Sequence, residues 1–481
     1  MSAAEAAAGR HDRREGSRFA RVTPFERMYL RLERPDWPGH FGGLAVLEAG
    51  PLLNAAGELR LAEIRERLAR RLSRVPRLRQ RVLSPPFPGG RALWVDDDRF
   101  AVEHHVLQAA VPSPGGEAQL LETAAEIYGR LLDRHRPLWE LWFLTGLDGG
   151  RLGALLKLHH AMADGTAAVA VLGSLFDLDP EAPDPVASAW LPEAIPGLWP
   201  LVGDNLVGRA RSVGRGIAGL AHPGRLLRGA RFMFLVAQRS AGVQGAPRTS
   251  LNRPVRAGRR IGFLPLDLSA VKEVAHTYGG KVNDVVLALW AGGLRSLLVA
   301  RGEPVAGVEP TVGMAVSTRS AGDAAIDNQV GTVVFPLPAG EDDAARRLDR
   351  VVARASQAKD QERSAAIMGA LVGLTATPLG RYLMLRQRAT SVTATNVAGP
   401  PAPMYVLGAR ILDILPIIDL EGNVGLTICA FSYADRLYLV VTADAGGFPD
   451  LDALMAGMGH DWRALAAGRA AGSAGVGGPA M

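Results

Sequence analysis

The strongest constraint on the fold is an alternation that holds in both halves of the chain: short strand-like stretches interleave with helical ones on either side of a single breaker-rich connection. In the first half, Arg151 to His159 alternates around Leu152, Ala154, Leu156 and Leu158, the period-two pattern of a strand. Helical spacing precedes it over Leu59 to Val82 (Leu61, Ile64, Leu68, Leu72) and over Glu117 to Leu132, and follows it from about Gly165 to Phe176. The run Pro85, Pro86, Pro88, Gly89, Gly90 stops the first of these. In the second half the strand-like IGFLPLDL leads into a helix over Ser269 to Thr277, a Gly279-Gly280 turn and a long helix from Val282 to Arg301. Strand patterns then recur at Thr311–Ser317, Val330–Pro336, Ser391–Val397, Val424–Phe431 and Leu437–Thr442, and a last helix runs from Asp450 to about Ala466.

The Pro-, Asp- and Ala-rich run from Asp177 to Pro192 divides the halves. The chain therefore reads as α/β with mixed sheets, in an N-terminal domain over residues 19–190 and a C-terminal domain over residues 256–465. A basic helical linker over residues 191–255 joins them. Residues 1–18 and 466–481 lack apolar periodicity and are expected to be disordered tails.

Composition narrows the function classes. Hydrophobic residues make up 48% and charged residues 21% of the 481, which disfavours a disordered or fibrous chain. The one cysteine, Cys429, permits no internal disulfide and no cysteine-zinc site, and a reducing cytoplasm is expected. Neither an export signal nor a membrane span is expected, since no apolar core follows the charged N-terminus and no run reaches about 18 apolar residues. The net charge of +6 comes from one place: residues 205–260 hold 12 arginines and no acid, so the rest of the chain is net negative. With no nucleic-acid-reading module, nucleic acid is not the expected partner.

The chemistry points to His159-His160-Ala161-Met162-Ala163-Asp164-Gly165, where a strand ends and a helix is expected to begin. Adjacent residues at a strand end face opposite ways, so the two histidines do not converge on a metal ion. A neutral imidazole can instead take a proton from a hydroxyl. Asp164 can fix the turn by pairing with an arginine, and Gly165 allows a tight entry into the helix. His104-His105 lacks the Asp-Gly and reads as structural. Gly214-Arg215-Gly216-Ile217-Ala218-Gly219 fits a dinucleotide fingerprint but follows an Arg-rich helical stretch rather than a strand, and is set aside. No phosphate-binding P-loop, zinc-protease or serine-hydrolase signature is present.

The HHAMADG stretch resembles the His-His-x-x-x-Asp-Gly signature of CoA-dependent acyltransferases, the superfamily of chloramphenicol acetyltransferases and peptide-synthetase condensation domains. More narrowly, the chain resembles the bacterial wax ester synthase/diacylglycerol acyltransferases, from about Phe19 to Leu465. Pro137-Leu138-Trp139-Glu140, the run Val282-Asn283-Asp284-Val285-Val286-Leu287-Ala288, Asp327-Asn328-Gln329-Val330-Gly331 and Thr395-Asn396-Val397 occur in that family's order. Ala398 departs from the family, which has proline there.

The resemblance implies two chloramphenicol-acetyltransferase-like domains packed as a pseudo-dimer with an interdomain tunnel. It implies His160 as general base, with His159, Asp164 and Gly165 in support, and Arg79 from the stretch Arg77–Arg81 as the partner of Asp164. Acyl-CoA is then a substrate rather than a bound cofactor, and diacylglycerol or a fatty alcohol is the acceptor, giving triacylglycerol or a wax ester. Two rivals stand beside this: a condensation-type catalyst using a carrier-bound acyl donor and an amine, and a non-catalytic lipid-surface protein.

Bland readings accompany the satellite residues. Trp139 fits a core or interface anchor and Asn283 a helix N-cap, while Asn396 either orients a loop at the tunnel or satisfies turn backbone. The linker carries Leu198, Trp199, Leu201, Leu226, Leu227, Phe232, Met233, Phe234 and Leu235 among its arginines, with Arg225, Arg228, Arg231 and Arg239 on roughly one third of a helical wheel. It reads either as a partly buried crossover linker with a solvated basic edge or, as is expected here, as an element that holds the enzyme peripherally on the inner membrane or a lipid droplet.

Overall fold

The computed structural model describes residues 19–162, 175–186, 190–220, 246–317, 330–358, 382 and 386–474. The expected helix beyond Asp164, the arginines 225–239 and the first tail lie outside these. Helix α1 (Pro24–Leu32) opens on a capping box: the Thr23 hydroxyl accepts from the Glu26 N–H at 3.2 Å, and the Glu26 carboxylate accepts from the Thr23 N–H at 2.6 Å. Strand β1 (His40–Glu48) follows, then α2 (Leu61–Arg71). Here the helix expected to reach Val82 ends early: 3-10 turns carry the chain to Arg79, and Gln80–Leu83 forms β2, paired with β3 (Leu93–Asp96). Pro76 lacks the N–H that a continuing helix would use. Next come β4 (Val106–Ala110), α3 (Glu117–Tyr128), β5 (Trp139–Thr145), β6 (Arg151–His159) and α4 (Leu198–Leu220), whose last residues hold the glycine fingerprint inside a helix.

The second half runs β7 (Arg259–Asp267), α5 (Leu268–Thr277), α6 (Val282–Ala300), β8 (Thr311–Ser317), β9 (Val330–Pro336) and α7 (Ala344–Ala358). It continues with β10 (Val392–Ala398), β11 (Tyr405–Val406), β12 (Ala409–Ile417), β13 (Leu426–Tyr433), β14 (Arg436–Asp444) and α8 (Leu451–Ala474). α8 passes the expected end near Ala466 because Ala-rich sequence favours helix.

Two six-stranded mixed sheets result, in the orders β11-β12-β1-β6-β5-β4 and β7-β14-β13-β10-β8-β9. Strands β11 and β12 come from the second half of the chain but pair in the first sheet, where β12 lies antiparallel to β1. Strand β14 shows how the two cores meet. Leu437, Leu439, Val441 and Ala443 enter the core that packs α5, α6 and α8, while Tyr438 and Val440 enter the core of the first half. Such a strand, buried on both faces, reads as a nearly continuous apolar run.

The chain crosses back tightly. Arg71, 1% exposed, donates to Asp177 at 2.7 Å and to Asp184 at 2.8 Å, which pins the breaker-rich connection to α2. α6 is long and apolar enough to cross a membrane, but most of it is buried against α5, α7 and α8, so it reads as a core helix. Its Gly292 makes room for a buried ion pair between Arg347 of α7 and Asp461 of α8, since a Cβ there would lie 1.6 Å from the Asp461 carboxylate. Arg347 also donates to the Glu341 carbonyl at 2.8 Å. Asp461→Ala leaves that guanidinium buried without its counter-charge and is expected to lower unfolding free energy by about 3–5 kcal/mol. Urea denaturation checks it, and a loss under about 1 kcal/mol would show the pair to be dispensable.

Candidate active site

The site grows from the end of β6 and the segment that leads from α1 into β1. His40 of β1 lies opposite His159 of β6 in the antiparallel register. Gly42 faces Lys157, and a Cβ at Gly42 would lie 1.9 Å from the Leu156 carbonyl oxygen, so only glycine permits this close approach. The His159 N–H donates to the Leu138 carbonyl and the His160 N–H to the Gly39 carbonyl, both at 3.0 Å. Gly39 has φ +63, a conformation that favours glycine. Its own N–H donates to the Asp419 carboxylate at 3.0 Å. Asp419 follows β12, so a residue from late in the chain holds the backbone that holds His160.

His159 is fully buried and turned toward Glu33. Its Nδ1 accepts the Ala161 N–H at 3.0 Å, so in the neutral ring the proton sits on Nε2, which faces the Glu33 carboxylate at 3.6 Å. Arg134 pairs with the other Glu33 oxygen. Desolvation, then the charges of His160 and Arg134, lowers the His159 pKa to about 3, so this contact is not an ion pair at neutral pH. His159 is thus an orienting group beside a carboxylate.

The His160 ring takes different neighbours, as expected for the next residue along. It stacks on Tyr29 of α1 with ring centres 4.6 Å apart and leans on Phe41 at 4.7 Å. It makes no hydrogen bond to the described residues. Burial lowers its pKa to about 4, keeping the imidazole neutral. His160 and Tyr29 are half-buried and Glu421 is exposed, and desolvation is the first cause of the shift of all three. Burial also raises Asp419 to about 7, opposed by Arg259, whose guanidinium lies 3.7 Å away. Cys429 is buried with its thiol pushed up to about 12, which leaves it inert as a nucleophile.

Asp164 and Gly165 lie outside the described residues, as do 327–329. Arg79, the expected partner of Asp164, is nearly buried with its guanidinium over the Trp190 ring at 4.5 Å. Trp139 is a core anchor, stacked on His105 at 4.7 Å and donating to the Leu78 carbonyl at 2.8 Å. His105 is correspondingly structural. Pro137 and Leu138 precede it on the approach to β5, where Leu138 receives His159.

The N-cap reading of Asn283 is corrected. Lys281 caps α6, and it is the Asp284 carboxylate that accepts the Lys281 N–H at 2.8 Å, so Asn283 is free to accept from Asn396 of β10 at 3.4 Å. The two asparagines singled out in the sequence therefore meet. Ala398, where the resemblance leads one to expect proline, stays in the β10–β13 ladder opposite Ser432.

Sequence reasoning missed Tyr29, Glu33, Gly39, Asp419 and Arg259. Thr23-x-x-Glu26 with Pro24 was a legible helix start that would have placed Tyr29 and Glu33 on or just after a helix. Nothing local marks Asp419, because its role depends on a contact 380 residues away in sequence.

Residues 22–286 match the family described as the wax ester synthase/diacylglycerol acyltransferase catalytic domain, and residues 326–466 match its C-terminal domain. The chain is 32% identical over 435 residues to a Mycobacterium tuberculosis protein named "Probable diacyglycerol O-acyltransferase tgs1", covering 87% of this chain and 89% of that one. It is 31% identical over 451 residues to "Probable diacyglycerol O-acyltransferase tgs2" of the same organism, covering 90% and 96%. Among solved structures, the wax ester synthase/diacylglycerol acyltransferase from Marinobacter aquaeolei VT8 matches with a TM-score of 0.68 at 21% identity, covering 94% of this chain and 99% of that one. A starter condensation domain of rhizomide synthetase matches with a TM-score of 0.56 at 14% identity, covering 96% of each. These two likenesses give the fold, the two-domain chloramphenicol-acetyltransferase-like arrangement. Two family matches that together span most of the chain, and relatives above 30% identity across nearly all of it, make this protein an acyltransferase of the wax ester synthase/diacylglycerol acyltransferase family.

Proposed function

We propose that the protein transfers a fatty acyl group from acyl-CoA to the hydroxyl of diacylglycerol, making triacylglycerol, with long-chain alcohols as second acceptors giving wax esters. The observation that carries this reading is the state of His160: a neutral imidazole at the end of β6, held against the rings of Tyr29 and Phe41. The names of the relatives supply the acceptor class.

In this mechanism the His160 imidazole takes the proton of the acceptor hydroxyl as its oxygen bonds to the thioester carbonyl carbon. A base lowered to about 4 is weak, but the negative charge developing on the tetrahedral intermediate favours the imidazolium and raises its basicity when it is needed. The intermediate collapses, the carbon–sulfur bond breaks, and His160 returns the proton to the departing CoA thiolate. No covalent enzyme intermediate is involved, in keeping with the inert Cys429. His159 stays neutral, and Asp164 and Gly165 support the turn, with Arg79 as the proposed partner of Asp164.

Peripheral membrane binding belongs to the same proposal. Trp199, Leu206 and Val213 of α4 are 79%, 61% and 62% exposed and recur every seven residues, forming one apolar stripe. Phe87, 91% exposed, sits beside its first turns, where Asn205 donates to the Pro88 carbonyl at 3.0 Å. Such a patch suits insertion at a lipid surface.

With purified protein, palmitoyl-CoA and diacylglycerol or hexadecanol, the wild type is expected to release free thiol and neutral-lipid product. His160→Ala is expected to lose about 100-fold or more in kcat while keeping its circular dichroism spectrum. Turnover by the folded variant at the wild-type rate would remove His160 from the reaction, and activity only with a carrier-bound donor and an amine would point to condensation chemistry. The triple change of Trp199, Leu206 and Val213 to Ser is expected to abolish flotation with anionic liposomes, and unchanged flotation would refute the α4 docking face.

A further inference from the structure

A cavity lies outside the histidine site. A cleft of about 1030 Å³ opens between α1, the β2–β3 hairpin, residues 134–138 and the inner face of α4. That volume is the size of a cofactor pocket. Its walls carry Arg27, Arg31, Arg81, Arg91, Arg134 and Arg209. The one carboxylate among the lining residues, Asp204, is engaged by Arg21 at 3.0 Å. Arg31 and Arg209 are exposed to the cleft and lie within salt-bridge distance of no carboxylate among the described residues.

Arg134 pairs with Glu33 and Arg81 lies 3.5 Å from Asp97, so Arg31 and Arg209 are the guanidiniums best placed to meet an anion with several oxygens. The cleft shares its walls with the histidine site. α1 presents Tyr29 to His160 and Arg27, Leu30 and Arg31 to the cleft, Leu138 lines the cleft and accepts the His159 N–H, and Arg134 lines it while holding Glu33 beside His159. On α4, Asp204 and Gly208 face the cleft on the side opposite the exposed apolar stripe, while Phe87 beside that stripe also lines the cleft.

We propose that this cleft binds the phosphate groups of the nucleotide end of CoA, leaving the pantetheine arm to reach His160 past α1. The proposal rests on the acyl-CoA reading above, and it makes Arg31 and Arg209 determinants of donor specificity rather than catalytic residues.

The test uses the full-length protein and two donors, palmitoyl-CoA and palmitoyl-pantetheine, which lacks the nucleotide. The ratio of kcat/KM for the two donors is expected to fall about 10-fold or more in Arg31→Ser/Arg209→Ser, through KM, with partial recovery in Arg31→Lys/Arg209→Lys. Titration calorimetry with adenosine 3′,5′-bisphosphate is expected to show binding to the wild type and its loss in the Ser variant. An unchanged donor ratio, with both activities lowered together, would mean the arginines are only structural and would overturn the proposal. So would failure of the wild type to bind the bisphosphate, or a variant that loses anionic vesicles while keeping the bisphosphate, which would assign the cleft to lipid headgroups. If the wild type turned over neither donor yet bound the bisphosphate through Arg31 and Arg209, the cleft would stand and the acyl-transfer reading would fall.

Discussion

The site depends on one chain of contacts: the Asp419 carboxylate accepts the Gly39 N–H, and the Gly39 carbonyl accepts the His160 N–H. Three parts of the sequence meet there, and none can be displaced without moving the histidine. Arg259 at the start of β7 stands 3.7 Å from Asp419 and donates to the Asp36 carbonyl at 3.0 Å, so the second sheet is tied to the segment that enters the first. A charged pair in so dry a place is costly unless its remaining groups are bonded. Here the Leu420 N–H donates to the Asp419 carboxylate, and the Arg256 and Gly258 carbonyls accept from the Arg259 guanidinium, whose Nε alone is left buried without a partner among the described residues. The geometry of the base is therefore set by interdomain packing as much as by the signature around it.

Strands that return across the domain boundary make that packing possible. Because β12 pairs with β1, Asp419 arrives next to Gly39 as a consequence of sheet order. Because β14 is buried on both faces, the two cores share a wall. The same burial desolvates His160 and lowers its pKa, which keeps it neutral. Fold and electrostatics thus have one cause, the burial of a strand end between two sheets.

Much of this was legible in the sequence where the signal is local. β6 and β8 have the expected bounds, since alternation around buried leucines and valines fixes them directly, and the histidine pair at the end of β6 was evident from its position before a turn. The helix expected through Val82 failed because helical spacing persisted past a proline that ends it, and the Asn283 cap failed because the helix starts one residue earlier, with Lys281 at the N-cap position and Asn283 inside the first turn. β1 and β12 went unread: their partners lie far off in the chain, and register between distant strands is invisible to any local pattern. Asp419 and Arg259 were missed for the same reason.

The central claim is that the fold holds His160 as a neutral, partly desolvated base. Its most direct test is an NMR titration of the imidazole in the free enzyme, with the resonance assigned by its loss in His160→Gln. The ring is expected to remain neutral from pH 7 down to pH 5 and to protonate around its folded pKa of about 4. A midpoint near the ordinary histidine value of about 6.5 would mean that His160 is open to water, and would contradict the account.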